Sequence, residues 1–250
     1  RPKVIDPPGE CRPDLLILNE LGKKCGLGKS FWPDLRSCLD DVLKPAGMGY
    51  EDFKKAGILK GDWKYKSYEQ NGFSTPSKKV EVFCSRLKDW GYDPLPTYRE
   101  GFSVPDSDSH RMGNYPLILT SAKDPHYFHS AHRNLPSLRK LSPDPIVLLH
   151  TQTAAEMGVE EGDWVHIETQ RGTIRQKAAL NSDLDPRVVV AAYGWWFPER
   201  KDLELSGWKE SNINILTENG PPYEPTIGST NLRAIPCRVY KSYGTLTEEK

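Results

Sequence analysis

Asn114-Tyr-Pro-Leu-Ile-Leu-Thr120 runs directly into Ser121-Ala-Lys-Asp-Pro-His-Tyr-Phe-His-Ser130, and the reading of this junction decides the fold. The first part is an apolar strand, and the second is a polar loop carrying hydroxyls, one lysine and spaced histidines. A strand that opens into such a loop suits a polyanionic ligand, because backbone amides and short polar side chains converge there. Working outward, strands are expected at Ile146 to His150, Trp164 to Thr169, Thr173 to Leu180 and Val188 to Tyr193, with a last one at Arg238 to Tyr240 or slightly earlier. Thr153-Ala-Ala-Glu-Met-Gly158 reads as a turn or two of amphipathic helix closed by glycine. Glu160-Glu-Gly-Asp163 makes a tight turn, and Arg171-Gly172 turns the next hairpin. Strands, one short helix and tight turns in this order predict a closed barrel, which leaves no exposed sheet edge.

Upstream, residues 1 to 60 read as helical. Pro13-Asp14 precedes Leu15-Leu-Ile-Leu-Asn-Glu-Leu21 at helical spacing, with Gly22 and Gly26 as stops. A second helix is expected from Pro33 to about Leu43, ended by Pro45, and a third from Tyr50 to Ala56, ended by Gly57. Residues 61 to 110 mix glycine, proline, serine and aromatics with charges, and Lys79-Val-Glu-Val-Phe-Cys84 reads as a strand. Ser103 to Gly113 has the composition of a linker, which divides the chain into a helical and connecting part, 1–110, and a barrel part, 111–250.

Composition narrows the function. The 250 residues carry 34 Lys and Arg against 34 Asp and Glu, so no global basic field attracts nucleic acid or anionic lipid. Any phosphate site is local. The sequence has no apolar run long enough for membrane insertion and no signal-peptide pattern at its start, and it assigns no compartment, cytoplasmic and periplasmic settings both remaining open. The five cysteines lack the close spacing of a zinc or iron–sulfur motif.

Several stretches taken together resemble a known family. They are Gly72-Phe-Ser-Thr-Pro-Ser77, Asn114 to Thr120, Phe128-His129-Ser130, Thr153 to Val165, Glu168-Thr-Gln-Arg-Gly172, Gly194-Trp-Trp-Phe-Pro198 and Asn212-Ile-Asn-Ile-Leu-Thr217. Their order and spacing resemble the C-terminal domain of the molybdopterin-dinucleotide oxidoreductases of the dimethyl sulfoxide reductase superfamily, which includes acetylene hydratase, formate dehydrogenase and thiosulfate reductase. The resemblance implies mixed α and β structure, a helical N-terminal part followed by a six-stranded double-psi β-barrel. It implies that the barrel closes over one end of a bis(molybdopterin guanine dinucleotide) cofactor carrying molybdenum or tungsten. The cofactor-facing residues it implies are Thr120, Ser121, Ala122, Lys123, His129 and Ser130 in the first loop, with Asn212 and Asn214 offering amides at the heterocycle edge. Trp195 is read as a stacking face or a core plug.

The same resemblance implies that this chain holds no catalytic residue and no metal ligand. The metal ligand and a [4Fe-4S] cluster motif are expected in an N-terminal part of a larger enzyme, the chain's expected partner together with an electron-transfer subunit. Two departures stand out: Ser121 and Lys123 replace the family's Gly and Arg, and Ser77-Lys78-Lys79 replaces Ser-Gly-Lys. The alternatives are a non-catalytic barrel module or separate subunit serving protein interaction or assembly, and a zinc site at His126, His129 and His132.

Overall fold

The computed structural model describes residues 3–61, 64–96, 114–200, 204–220, 223–224 and 226–243. The expected linker from Ser103 to Gly113, with its boundary at 110, lies outside them. The chain forms two compact units, Arg1–Glu81 and Val82–Lys250.

In the first unit, α1 (Asp14–Gly22) follows an extended Pro13. Asn19 is buried and its carboxamide exchanges two hydrogen bonds with the backbone of Trp32, at 2.8 and 3.1 Å, which ties the helix to the following segment. Helix α1 ends at Gly22, as expected, with the backbone there still right-handed. A Cβ there would lie 2.2 Å from the Phe31 ring, so this glycine permits ring-on-backbone packing while the chain continues through a wide turn, Lys23–Leu27, and reverses at Gly26 with φ 81°. Helix α2 (Leu35–Leu43) begins two residues after Pro33, because the Asp34 carboxylate accepts the Ser37 N–H at 2.7 Å and caps it. The helix ends at Leu43, as expected, two residues before Pro45. The proline sits in a 3-10 turn, Lys44–Ala46, that closes at Gly47 with φ 68°. Helix α3 (Tyr50–Ala56) ends at Gly57 as expected. After α4 (Tyr68–Asn71), Lys78 takes φ 59°, a left-handed position where a glycine would cost less.

The expected strand at Lys79 to Cys84 is absent: the segment is bends and coil, with Val80, Val82 and Phe83 exposed. Alternation alone does not make a strand, and no described segment offers this one a ladder. Helix α5 (Ser85–Asp89) follows it directly.

The second unit holds a closed six-stranded barrel of β1 (Leu117–Ala122), β2 (Ile146–Leu149), β3 (Trp164–Glu168), β4 (Thr173–Leu180), β5 (Val188–Ala192) and β6 (Ile235–Lys241), ordered β1-β5-β2-β4-β3-β6. This is the expected architecture. Inward positions follow the period of two: Leu117 and Leu119, Val147 and Leu149, Val165 and Ile167, Val189 and Ala191, and Ile235, Cys237 and Val239 fill the interior. Helix α6 (Pro136–Leu141) precedes β2, α7 (Thr151–Glu156) follows it, and α8 (Trp208–Ser211) lies between β5 and β6. The Asp163 carboxylate closes the Glu160–Asp163 turn by accepting the Glu160 N–H at 2.8 Å and pairs with Lys241 of β6 at 2.7 Å.

One topological fact positions everything that follows. Strands β1 and β5 are parallel neighbours, with Ser121 beside Ala191 and Ala122 beside Ala192, so both deliver their C-terminal loops to the same rim.

Candidate functional site

At that rim the loop after β1 meets the loop after β5. Tyr193 and His129 approach with the Tyr193 hydroxyl 2.8 Å from His129 Nδ1, and the Trp196 indole N–H donates to the Ser130 carbonyl at 2.6 Å. Between them Gly194 has φ 68°, and a Cβ on it would sit 3.2 Å from the His129 carbonyl and 3.3 Å from Ser130 Cα. Only glycine allows both this conformation and this closeness. His129 itself is left-handed, at φ 51°. Its backbone N–H and that of Ser130 donate to no acceptor among the described residues, while both residues are exposed.

Beneath this contact lies Arg133, 1% exposed. Its guanidinium carbon is 4.6 Å from the Tyr127 ring centre and 4.8 Å from that of Trp195, while Nη1 donates to the His129 carbonyl at 2.7 Å and Nη2 to that of Tyr193 at 3.1 Å. One side chain therefore bolts both loops together. Sequence inspection gives no sign of this, because Arg133 stands in a polar loop and its two aromatic faces come from distant positions.

A second tie is Gln176, also unforeseen. It occupies an inward position of β4, between Ile174 and Ala178, and is completely buried. Its Nε2 donates to the carbonyls of Ala192 and Ser211 at 2.8 and 3.0 Å, and its Oε1 accepts the Ala192 N–H at 2.9 Å. The end of β5 and the end of α8 are thus fastened to one carboxamide, leaving no part of it unpaired. A polar residue in phase with apolar inward neighbours was the available signal.

The sequence-derived candidates fall into three groups. Thr120 and Ser121 are half-buried on β1, and Ala122 and Lys123 are exposed where the strand leaves the barrel. Ala122 and Lys123, but not Thr120 or Ser121, border a cleft of about 300 Å³ whose floor is Ile146, Leu148 and Val190 and whose edge includes His126 and Ser142. His129 and Ser130 come together with the 193–196 loop, as described. Asn212 and Trp195 differ from the expectation of ligand-facing groups. Asn212 is buried, donating to the Trp195 carbonyl at 3.2 Å and accepting the Asn214 N–H at 3.1 Å, so its amide is spent on the turn Ile213–Ile215. Trp195 has no exposed surface, its ring edge-on to Tyr127 and Phe197. It serves as a core plug because Arg133 and Arg139 cover its faces. Asn214 remains exposed, and its carboxamide has no partner among the described residues.

Electrostatically the rim is mixed. Burial works to raise the Asp124 carboxyl, but the Ser142 hydroxyl and the His126 backbone and ring outweigh it and hold the acid below its ordinary value. Asp124 is therefore an ionised structural acceptor. Arg139 pairs with Glu199 at 2.6 Å, whereas Lys123 has no acidic partner among the described residues. His126, His129 and His132 do not converge, since the loop is not helical and His132 too is left-handed, at φ 74°. Among the described residues no three His, Cys, Asp or Glu side chains come close enough to hold a metal ion. Unpaired backbone N–H groups, hydroxyls, a lysine without an acidic partner among the described residues and a close glycine suit a large anionic heterocycle.

Comparison with known proteins agrees with this geometry. Residues 117–236 match the molydopterin dinucleotide binding domain. Over 192 residues, 75% of the chain and 18% of the relative, the sequence is 40% identical to dopamine dehydroxylase of Eggerthella lenta. Over 247 residues, 96% of the chain and 34% of the relative, it is 30% identical to acetylene hydratase of Syntrophotalea acetylenica. The solved structure of acetylene hydratase from Pelobacter acetylenicus superposes with a TM-score of 0.81 at 29% identity, over 95% of this chain and 34% of that one. The matched stretches thus span only 18% and 34% of the length of these two relatives. With the barrel, its rim and these likenesses in agreement, the chain belongs to the dimethyl sulfoxide reductase superfamily, as its molybdopterin-dinucleotide-binding region.

Proposed function

We propose that this chain is the cofactor-clasping portion of a molybdenum or tungsten oxidoreductase, holding pterin and phosphate groups of bis(molybdopterin guanine dinucleotide) without supplying the metal ligand or an iron–sulfur cluster. The observation that carries the reading is the close meeting of the His129–Ser130 backbone with Gly194, at exposed residues whose two N–H groups have no acceptor among the described residues. The backbone N–H groups of His129 and Ser130, the hydroxyls of Thr120 and Ser121 and the carboxamide of Asn214 hold the heterocycle and phosphate oxygens. Lys123 adds one mobile charge. Gln176, Asn212 and Arg133 keep these groups in place, and the cleft behind Lys123 excludes water from one side of the ligand. When bound, the cofactor supplies two-electron transfer, or hydration in the acetylene hydratase branch, at a metal held by other polypeptide. That polypeptide, the rest of the same enzyme, is the first partner, with an electron-transfer subunit as a second.

The test is thermal unfolding of the purified chain with and without isolated molybdopterin guanine dinucleotide. A ligand that binds only the folded state raises the midpoint, so an unchanged midpoint at saturating ligand rejects the reading. An interaction module is the second reading, favoured by helix α1, whose Leu15, Ile17, Leu18 and Leu21 are exposed on more than one side. A midpoint indifferent to the dinucleotide, together with stable capture of the enzyme's remaining polypeptide, supports it instead.

A further inference from the structure

Arg133 poses an electrostatic question that loop bracing does not answer. A buried guanidinium is normally matched by a carboxylate, because an isolated charge is costly to remove from water. Here the compensation is partial. Two aromatic faces and two carbonyl oxygens attend it, and Nε has no partner. Burial holds its pKa below the ordinary guanidinium value, although Asp124, Tyr127 and Tyr193 pull the other way and Arg139 adds to the depression. Asp124, the one acid that pulls on it, is already engaged by Ser142 and His126, and Glu199 is engaged by Arg139. Lys123, Arg133 and Arg139 against Asp124 and Glu199 leave a positive excess of one beside the exposed His129–Ser130 step.

We propose that Arg133 is a positioning residue whose missing counter-charge is supplied by the ligand: it fixes His129 in its left-handed conformation through the carbonyl it holds, and its field favours a diphosphate group at the rim over a neutral one. This rests on the cofactor reading above. Arg133 does not touch the ligand. It acts through the loop and through space, and a fixed charge in a partly desolvated site changes anion affinity on the order of tenfold or more.

The experiment uses the purified chain with guanosine diphosphate as the anionic probe and guanosine as its neutral counterpart, comparing wild type with R133M and R133K. R133M keeps the stem between the rings and removes the charge. R133M also loses the hydrogen bonds to the His129 and Tyr193 carbonyls, so its unliganded midpoint is expected to fall somewhat, and the deciding readout is its affinity for guanosine diphosphate, which drops about tenfold. The response to guanosine stays the same, and R133K recovers part of the lost affinity. A purely structural role leaves the preference for the diphosphate over guanosine unchanged in R133M, and overturns the proposal. If R133M does not fold, the Arg133 Nε–H resonance of the wild-type chain decides: a shift with guanosine diphosphate and none with guanosine supports the proposal, and equal responses overturn it. A wild-type chain that gives no response to guanosine diphosphate rejects the diphosphate site itself, and Arg133's role with it.

Discussion

Gly194 approaches His129 so closely that the hydrogen in place of a side chain sits where a Cβ would be 3.2 Å from the His129 carbonyl carbon and oxygen. The contact lies between the loops that follow two parallel strands, and it sets how near the rim backbone comes to whatever binds there.

G194A therefore meets two penalties at once, a left-handed φ of 68° and a crowded neighbour made of backbone. The expected loss is about 1–2 kcal/mol of stability, more than the sub-kilocalorie effect of alanine at a compatible glycine. Urea unfolding checks it. The dinucleotide-induced rise in midpoint should shrink as well, since the His129–Ser130 step must move to make room. A variant as stable and as responsive as wild type removes the glycine from the argument.

Gln176 bears more than its single position suggests. Replacing it with alanine leaves the Ala192 N–H and two carbonyls without their partner in a dry interior, and opens a cavity. A loss of about 2–4 kcal/mol is expected by denaturant titration. Q176E keeps the acceptor but loses the two donated bonds, turning both carbonyls toward a carboxylate, so it is expected to be no better tolerated than alanine.

The role of Gln176 was not readable in the sequence, whereas the strands around it were. The six strands were legible because inward positions such as Leu119, Val147 and Ile167 alternate with outward ones, and β4 begins and ends where its turn residues place it. The loops that form the rim were legible only as loops. Arg133 acquires its meaning from Tyr127 and Trp195, which meet only in the fold, and Asn212 loses its ligand-facing meaning to a local turn that competes for the same amide. Lys79 to Cys84 failed for the opposite reason, an intrinsic strand pattern with no ladder to complete it.

The barrel interior predicts an alkaline transition. Burial pushes the Cys237 thiol up to about 12 from its ordinary value of 9.0. Above the unfolded value the unfolded chain releases a proton that the folded chain retains. This contribution is thus fully present below pH 9, weakens by up to about 1.4 kcal/mol per pH unit above it, and is gone once the folded value is passed. C237A should flatten the slope above pH 9 while lowering stability at neutral pH. In the native chain, thiol reagents should modify Cys11 and Cys25, both exposed, well before Cys237.

An acid limb has a different source. Burial opposes ionisation of Glu168, yet Arg238 at 2.7 Å and the hydroxyls of Tyr240 and Tyr115 hold its pKa below 4.5. Because the folded value is depressed, the contribution is present above the unfolded value and lost as pH falls through the folded one. E168Q is expected to be less stable than wild type at pH 7, and the difference should vanish in urea titrations carried out below the folded pKa. A gap between the two proteins that persists at that pH would show that Glu168 acts by packing alone.

Lys123 separates the charge of the rim from its geometry. The sequence resemblance implies an arginine where this chain has lysine, and a lysine offers a point charge where an arginine offers a planar fork able to give two parallel hydrogen bonds to one phosphate. Lys123 is exposed and has no acidic partner among the described residues, so substitution there leaves the barrel undisturbed. K123M should weaken guanosine diphosphate binding severalfold with little change in the unfolding midpoint of the free chain, and the deficit should diminish at high salt because the lost interaction is exposed and screened. K123R should match or exceed wild type if the phosphate lies within reach of the β1 exit. Isothermal titration of the three proteins at two ionic strengths decides the matter: equal affinities for all three place the phosphate elsewhere on the rim, and leave the backbone N–H groups of His129 and Ser130 as its principal donors.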